Sequence, residues 1–379
     1  MTKLDDVLAD AVTARQVPFA VAMTGTASGI TYCGAAGEAA AGRLAGEDTV
    51  FRIYSMTKAI GSVAAMILID RGLLSPDTPV GDILPAWNDL PVLDGWDGDT
   101  PVLRPQKTVA TIRHLATHSS GMAYEFWNPD VLRYLEATGI PTVMSGKRAG
   151  LNYPLASDPG TQWGYGGSID WLGQIVEAVD GRRIDAFCYD EILGPLGMTD
   201  TRFEPDGLED RLADVSMRVG ADGFRPTRMG PPKHPEFYGM GHALYSTAPD
   251  YMAFLRMVLN RGTLNGVRIL SDDAWDLLAN DQMQGLTFAK MTAAARGSTD
   301  VDYPGRTMTH SFAFLRNEEP WRGKRSAGSL GWAGICNTHY WIDPARDLCA
   351  VLMTQSLPFI ESPFLQAYDA FERAVYAEL

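Results

Sequence analysis

A serine and a lysine stand three residues apart in the segment Ser55-Met56-Thr57-Lys58. A serine hydroxyl is a poor nucleophile until a neighbouring group removes its proton, and a positioned amine can take that role. Residues i and i+3 share one face of a helix, so Lys58 is expected to reach the Ser55 Oγ atom. The spacing therefore indicates nucleophilic catalysis. The alternative is a helix-capping serine followed by a lysine whose amine reaches solvent.

Other common catalytic and binding motifs do not occur in the sequence. No serine lies in a Gly-x-Ser-x-Gly elbow, and there is no His-Glu-x-x-His pair for zinc. There is also no phosphate-binding Gly-x-x-x-x-Gly-Lys-Ser/Thr loop. We therefore expect no metal and no cofactor, and Ser55 with Lys58 is the candidate site.

The elements around this pair favour a buried position. Phe51–Tyr54 is a short strand candidate, and Met56–Arg71 is helix-like and almost wholly apolar in its middle. A helix that is apolar all round is buried on every side. Ser55 is therefore expected at the start of a core helix, close to free N–H groups and the positive end of the helix dipole.

Strand-like stretches lie near both ends of the chain, and helices are predicted at both termini. The candidate strands are 18–25, 29–34, 310–315, 326–330, 335–342 and 348–354. We predict an α+β fold in which one antiparallel sheet is flanked by the terminal helices and carries an inserted, mainly helical domain. The predicted sheet domain is 1–76 plus 206–379, and the predicted insertion is 77–205.

Composition and charge limit the classes of binding partner that we expect. The chain has 379 residues, of which 46% are apolar and 21% charged, as in ordinary globular proteins. Its net charge of -14 disfavours nucleic acid and anionic lipid as partners. A membrane span needs roughly 20 apolar residues in a row, and neither such a run nor a signal peptide is evident. We expect a cytoplasmic protein acting on a small molecule, and the sequence makes no prediction of oligomeric state.

Several further blocks follow one another along the chain. They are Phe51–Lys58, Leu73–Val80, Ile112–Met122, Pro159–Tyr165, Leu193–Met198, Leu244–Asp250 and Gly331–Gly334. Together they resemble the serine hydrolase superfamily of class C β-lactamases, penicillin-binding proteins and family VIII carboxylesterases. The resemblance covers most of the chain and implies a β-lactamase-like fold.

The resemblance also implies roles for single residues. Ser55 would be the acylated nucleophile, with Lys58 beside it as proton acceptor or electrostatic partner. Tyr165 would be a second base, because a nearby ammonium stabilises a phenolate. The oxyanion hole would be formed by the backbone N–H groups of Ser55 and of Ile335, which follows a turn at Trp332-Ala333-Gly334.

Two departures from the lactamase pattern concern the substrate. The lactamase tyrosine block ends in asparagine, and Gly167 stands there in this chain. Trp332 replaces the lysine that attracts the lactam carboxylate, as in the esterase branch, and offers an apolar wall. The residues predicted to bind substrate are Trp332, Gly334, Tyr124, Trp127, Phe237, Tyr238 and His242.

The leading hypothesis from the sequence is a serine carboxylesterase that cleaves small esters through a Ser55 acyl-enzyme. An acyltransferase or amide hydrolase using the same site is the first alternative, followed by a weak β-lactamase. A binding protein without enzymatic activity is the least favoured hypothesis, because Ser55, Lys58 and Tyr165 are all in place.

Overall fold

The computed structural model describes residues 2–220, 223–295 and 297–379. Helices occupy both termini of this part of the chain, and others are distributed between them. The α-helices are α1 (Lys3–Thr13), α2 (Thr57–Asp70), α3 (Val80–Ile83), α4 (Ile112–Ala116), α5 (Pro129–Thr138), α6 (Ser168–Asp180), α7 (Ile184–Cys188), α8 (Ala248–Leu259), α9 (Asp272–Ala279) and α10 (Ser362–Ala377).

The main sheet joins the two ends of the chain. Its strands are β1 (Phe19–Gly25), β2 (Ile30–Ala40), β3 (Arg43–Leu44), β4 (Met308–His310), β5 (Leu315–Asn317), β6 (Leu330–Gly334), β7 (Thr338–Asp343) and β8 (Leu348–Met353). They lie in the order β4-β5-β6-β7-β8-β1-β2-β3, and neighbouring strands are antiparallel. The N- and C-terminal parts meet where Val21 of β1 lies opposite Met353 of β8. The predicted antiparallel sheet is confirmed.

Shorter strands pair outside this sheet. The pairs are Phe51–Arg52 with Tyr245–Ser246, Val92–Asp97 with Thr100–Arg104, Thr263–Leu264 with Val267–Arg268, and Val215–Val219 with Gly223–Thr227 and Ser356–Leu357.

Two predicted strand boundaries near the C-terminus are wrong. The predicted strand 310–315 is a turn between β4 and β5, closed where the Ser311 hydroxyl accepts a hydrogen bond from the Phe314 N–H at 3.0 Å. The predicted turn at 332–334 is the end of β6, and the chain turns at 335–337 instead. Asn337 makes that turn with a φ of 62°, which asparagine tolerates better than most residues.

Helices cover both faces of the sheet. One face packs against the terminal helices, and its buried side chains include Leu4 and Leu8 of α1, Phe364 and Phe371 of α10, and Trp341 of β7. The other face packs against α8 and belongs to the larger core, which also contains α2. The predicted flanking of the sheet by terminal helices is confirmed.

The core helix α2 has the predicted character. Every residue from Thr57 to Leu68 is buried. α2 packs along α6, and Gly61 of α2 and Gly173 of α6 both face the side chain of Met240. A Cβ atom at either glycine would stand 2.8 Å from Met240, which lies between them.

Residues 77–205 contain α3 to α7 and the hairpin at 92–104. The division of the chain into a sheet domain and an insertion stays a prediction. Across the described ranges, no helix combines the length and apolar character that a membrane crossing requires.

Candidate active site

Ser55 lies in a tight turn between a short strand and α2. Phe51–Arg52 pairs with Tyr245–Ser246, and a single 3-10 turn, Tyr54–Met56, then leads into the helix. Tyr54 has a φ of 42°, an uncommon backbone conformation for a residue other than glycine. This turn places Ser55 in the wall of a cavity at the start of α2.

Lys58 is held by three hydrogen bonds. Its Nζ atom donates to Ser55 Oγ at 3.2 Å, to the Tyr124 hydroxyl at 3.1 Å and to the Gly241 carbonyl at 2.8 Å. An ammonium group has three hydrogens, so these acceptors use all of them. In this arrangement Lys58 supplies positive charge to the serine, and the serine proton needs a further acceptor.

Tyr165 lies on the other side of the lysine. The Lys58 Nζ atom is 4.8 Å from the centre of the Tyr165 ring. The hydroxyl of Tyr165 accepts a hydrogen bond from the Trp332 indole N–H at 3.0 Å. Both a cation and a hydrogen-bond donor therefore face this phenol, and each stabilises negative charge on it.

Tyr124 has a different environment from Tyr165. Its hydroxyl donates to Asp170 Oδ2 at 3.4 Å while accepting from Lys58. Burial raises the pKa of Tyr124 well above its ordinary value, and the Asp170 carboxylate raises it further. Tyr124 therefore stays a neutral phenol, unsuited to act as the base near neutral pH.

The predicted oxyanion residues lie on the cavity wall. Ser55 and Ile335 both line the cavity, and Gly334 brings their segments together. A Cβ atom at position 334 would stand 2.4 Å from the carbonyl oxygen of Ile53, so only glycine fits there without displacement. The role of the two N–H groups in binding an oxyanion stays a prediction.

The cavity has a volume of about 570 Å³ and follows an open stretch of strand β6. In the described part of the chain, β5 pairs with β6 at Leu330 and Gly331 only. Beyond that point, Trp332 and Ala333 lie in the cavity wall. Backbone groups on this side of β6 are therefore available to a substrate.

The structure brings most of the predicted binding residues to this cavity. Those lining it are Tyr124, Trp127, His242 and Trp332. Phe237 and Tyr238 are buried in the core and are not among the lining residues. Gly334, buried at the end of β6, does not line the cavity either. The Tyr238 hydroxyl donates to Glu204 at 3.0 Å, and its ring packs on Phe203 with 4.9 Å between ring centres. Packing within the protein therefore accounts for both aromatic residues.

His242 lies between the cavity and a buried carboxylate. Its Nδ1 atom is 3.6 Å from Asp170 Oδ1. Burial lowers the pKa of His242, and the opposing effect of Asp170 is smaller. The imidazole is therefore uncharged near neutral pH, and Lys58 is the cation nearest to Ser55 in the described site.

Sequence reasoning missed two groups of this site, Asp170 and the backbone of Gly241. Asp170 is wholly buried in α6. The sequence signal for Asp170 was an acidic residue between Ile169 and Trp171, in an otherwise apolar stretch of a predicted helix. A charged residue in such a stretch indicates a buried carboxylate with a specific role. Gly241 lies in a short glycine-rich segment that also contains Gly239.

The site has no evident place for a metal ion. In the three described ranges, no cluster of three or more His, Cys, Asp or Glu side chains is arranged to hold one.

Comparison with known proteins agrees with this architecture. A family model described as Beta-lactamase matches residues 4–374, so the chain belongs to the β-lactamase family of serine hydrolases and acyltransferases. Two curated relatives are each 30% identical to the chain. Monacolin J acid methylbutanoyltransferase of Aspergillus terreus matches over 87% of this chain and 83% of its own length. Lovastatin esterase of Penicillium rubens matches over 82% and 80%.

Solved structures share the fold. Unliganded simvastatin synthase (LovD) from Aspergillus terreus superposes with a TM-score of 0.84 at 28% identity, covering 99% of this chain and 97% of that one. EstCE1, described as a hydrolase with promiscuous acyltransferase activity, gives a TM-score of 0.76 at 20% identity, with 97% of both chains covered. The β-lactamase-like fold predicted from the sequence is confirmed.

Proposed function

We propose that this chain is a serine esterase that cleaves small carboxylic esters through an acyl-enzyme on Ser55. The observation that carries the proposal is the 3.2 Å contact between Lys58 Nζ and Ser55 Oγ in the wall of a cavity. A buried cation beside a serine favours the developing alkoxide, which is what an attacking hydroxyl requires.

In the proposed reaction, the phenolate form of Tyr165 accepts the Ser55 proton while Lys58 supports the negative charge. The Ser55 Oγ atom then attacks the ester carbonyl, and the N–H groups of Ser55 and Ile335 bind the oxyanion. Tyr165 returns its proton to the leaving alcohol as the carbonyl re-forms. A water molecule then gives a proton to Tyr165 and attacks the acyl carbonyl. Tyr165 passes that proton to Ser55 Oγ as the acid leaves, which restores both groups.

The cavity wall supports an uncharged, partly apolar substrate. Trp332 stands where the lactamases carry a lysine. Its indole N–H already donates a hydrogen bond to the Tyr165 hydroxyl. Tyr124, Phe126 and Trp127 continue the aromatic wall. Such surfaces bind apolar acyl or alcohol groups and offer no counterion for a lactam carboxylate.

Acyl transfer to an alcohol is the second candidate. It is supported by the 30% identity of the chain with a protein named for methylbutanoyl transfer. The identity with a protein named an esterase is also 30%, so identity alone does not separate the two activities. Transfer and hydrolysis share the acyl-enzyme and differ only in which hydroxyl compound attacks it. The open side of β6 gives a second alcohol room to approach.

The decisive experiment is intact-mass measurement after incubation with a 4-nitrophenyl ester or a 4-nitrophenyl phosphonate. One adduct on Ser55 is expected, and none in Ser55→Ala. Ser62→Ala is the matched control, because Ser62 is buried in the same helix and its hydroxyl has no hydrogen-bond partner in the described ranges. Labelling and turnover by Ser55→Ala would refute the proposal.

Product analysis separates the two candidates. With a nitrophenyl ester and a series of alcohols, an esterase releases mainly the free acid. If the new ester dominates at low alcohol concentration, acyl transfer is the principal activity.

A further inference from the structure

Among the described residues, no arginine or lysine pairs with the buried carboxylate of Asp170. Its side chain is completely inaccessible, and across the described ranges its one ion-pair contact is the weak approach of His242. An ionised carboxylate in such a place is costly unless hydrogen bonds compensate for its lost hydration. The groups that supply those hydrogen bonds therefore indicate what the carboxylate is for.

Both groups that donate to Asp170 also accept from Lys58. The Gly241 N–H donates to Asp170 Oδ1 at 2.8 Å, and the Gly241 carbonyl accepts from Lys58 at 2.8 Å. The Tyr124 hydroxyl donates to Asp170 Oδ2 at 3.4 Å and accepts from Lys58 at 3.1 Å. Asp170 and Lys58 are thus joined by two parallel bridges, one through backbone and one through a side chain.

Close packing around the carboxylate is built into the sequence. A Cβ atom at Gly241 would stand 2.7 Å from Asp170 Oδ2 and 2.9 Å from the Tyr124 hydroxyl. A Cβ atom at Gly239 would stand 2.7 Å from Asp170 Oδ1. At Gly167, where the lactamases have asparagine, a Cβ atom would stand 3.5 Å from Asp170 Oδ2. Gly239 and Gly241 therefore let backbone and carboxylate meet without an intervening side chain, whereas the 3.5 Å distance at Gly167 is an ordinary van der Waals contact.

We propose that Asp170 is a positioning residue for the acylation of Ser55. It fixes the Gly241 carbonyl and the Tyr124 hydroxyl as acceptors for two hydrogens of the Lys58 ammonium, which leaves the third directed at Ser55 Oγ. Asp170 does not touch Ser55, and its effect passes through the two bridges. This inference rests on the proposed function, because it presumes that Ser55 is the acylated group.

The substitution Asp170→Asn tests the proposal. An asparagine amide keeps the size of the side chain, but its NH2 group would donate to the Tyr124 hydroxyl and leave the phenol proton without an acceptor. Misdirecting a catalytic group by about 1 Å can cost about a hundredfold in rate. We expect the rate of Ser55 phosphonylation and kcat for a nitrophenyl ester to fall about thirtyfold to a hundredfold, with KM changed by less than about twofold.

Ser168→Ala is the matched control. Ser168 is buried two residues earlier in α6, and its hydroxyl bonds to that of Ser120 at 2.8 Å, away from Lys58. A similar loss of activity in Ser168→Ala and Asp170→Asn, in proportion to lost stability, would overturn the proposal.

A double-mutant cycle with Tyr124→Phe tests whether Asp170 acts through the bridge. Tyr124→Phe alone is expected to slow acylation about tenfold, because the lysine loses one acceptor. If the bridge transmits the effect, the double variant is little slower than Asp170→Asn, whereas fully additive losses would contradict it. If Asp170→Asn does not fold, unchanged acylation in Tyr124→Phe is sufficient to reject the proposal. A wild-type protein without label on Ser55 would instead refute the proposed function.

Discussion

The cavity has two chemically different ends. Near Ser55 its wall is aromatic, with ring centres of Tyr165 and Trp332 4.9 Å apart. At the far end it reaches α10, where Lys324 and Arg325 both lie within 2.7 Å of the buried Glu372 carboxylate. The far-end charges are paired with one another, whereas in the described residues the Lys58 ammonium is bonded only to neutral oxygens, one of which is the Ser55 hydroxyl.

This difference suggests that one end of the cavity serves catalysis and the other end stabilises the fold. A cation surrounded by neutral acceptors can stabilise negative charge that develops on one of those oxygens during the reaction. Cations that are already paired with carboxylates stabilise additional negative charge much less. Lys324 and Arg325 instead connect the 321–325 segment to α10. We therefore expect substitutions at the aromatic end to change rate and substitutions at the charged end to change stability.

The largest contrast is expected between two lysines. Lys58→Met should lower kcat/KM for a nitrophenyl ester about a thousandfold, because it removes the charge beside the nucleophile. Lys324→Met, at the other end of the cavity, should leave kcat/KM within about threefold. Steady-state kinetics of both variants measure the contrast, and equal losses would contradict the separation of roles.

Glu372→Gln should destabilise the fold by about 3 kcal/mol, because it leaves the largely buried Arg325 guanidinium without its carboxylate, while Lys324 keeps Asp369 at 2.8 Å. Urea unfolding measures the loss. At a temperature where the variant is folded, kcat for the ester should stay close to the wild-type value. A large fall in kcat with unchanged stability would assign this end to catalysis instead.

Stability should fall in mild acid through two buried histidines, one at each end. Burial lowers the pKa of His310, near Trp332, to about 4 and that of His339, near α10, to about 3. The unfolded chain binds these protons at higher pH, so stability is lost as the pH falls below about 6.5.

The expected loss is about 2 kcal/mol for each histidine between pH 6.5 and pH 5. His339→Phe should remove about 2 kcal/mol of that dependence, since His339 already packs on Phe359, Phe364 and Tyr368. Urea unfolding at both pH values provides the comparison. An unchanged pH dependence in His339→Phe would show that this ring does not titrate as its burial implies.

The smallest effect is expected at Trp332. Trp332→Phe keeps an aromatic wall but removes the indole N–H that donates to Tyr165. We expect kcat to fall about tenfold, the usual worth of one hydrogen bond to a developing charge, with a smaller change in KM. If KM rises while kcat is unchanged, Trp332 serves only as a wall for substrate.

Contacts between residues close in sequence could be predicted for this molecule. Contacts between residues far apart in sequence could not. Ser55 and Lys58 share one helical turn, so their contact follows from spacing alone. The hydrogen bond between Trp332 and Tyr165 joins residues 167 positions apart, which no local pattern specifies.

Burial explains why the positions of three other residues did not follow from the sequence. Phe237 and Tyr238 were expected at the cavity because they are aromatic residues in a loop-like stretch, but an aromatic side chain serves a core equally well. Asp170 was missed because its partners, Tyr124 and Gly241, come together only through tertiary packing.

The incomplete pairing of β6 also bears on how an open strand edge is shielded. An unpaired strand edge on an outer surface is a template for aggregation. Here the unpaired residues are recessed: Trp332 and Ala333 are only partly exposed, and Gly334 is buried. The open backbone of β6 therefore faces the interior of a cavity and is not presented as a flat edge on the outer surface.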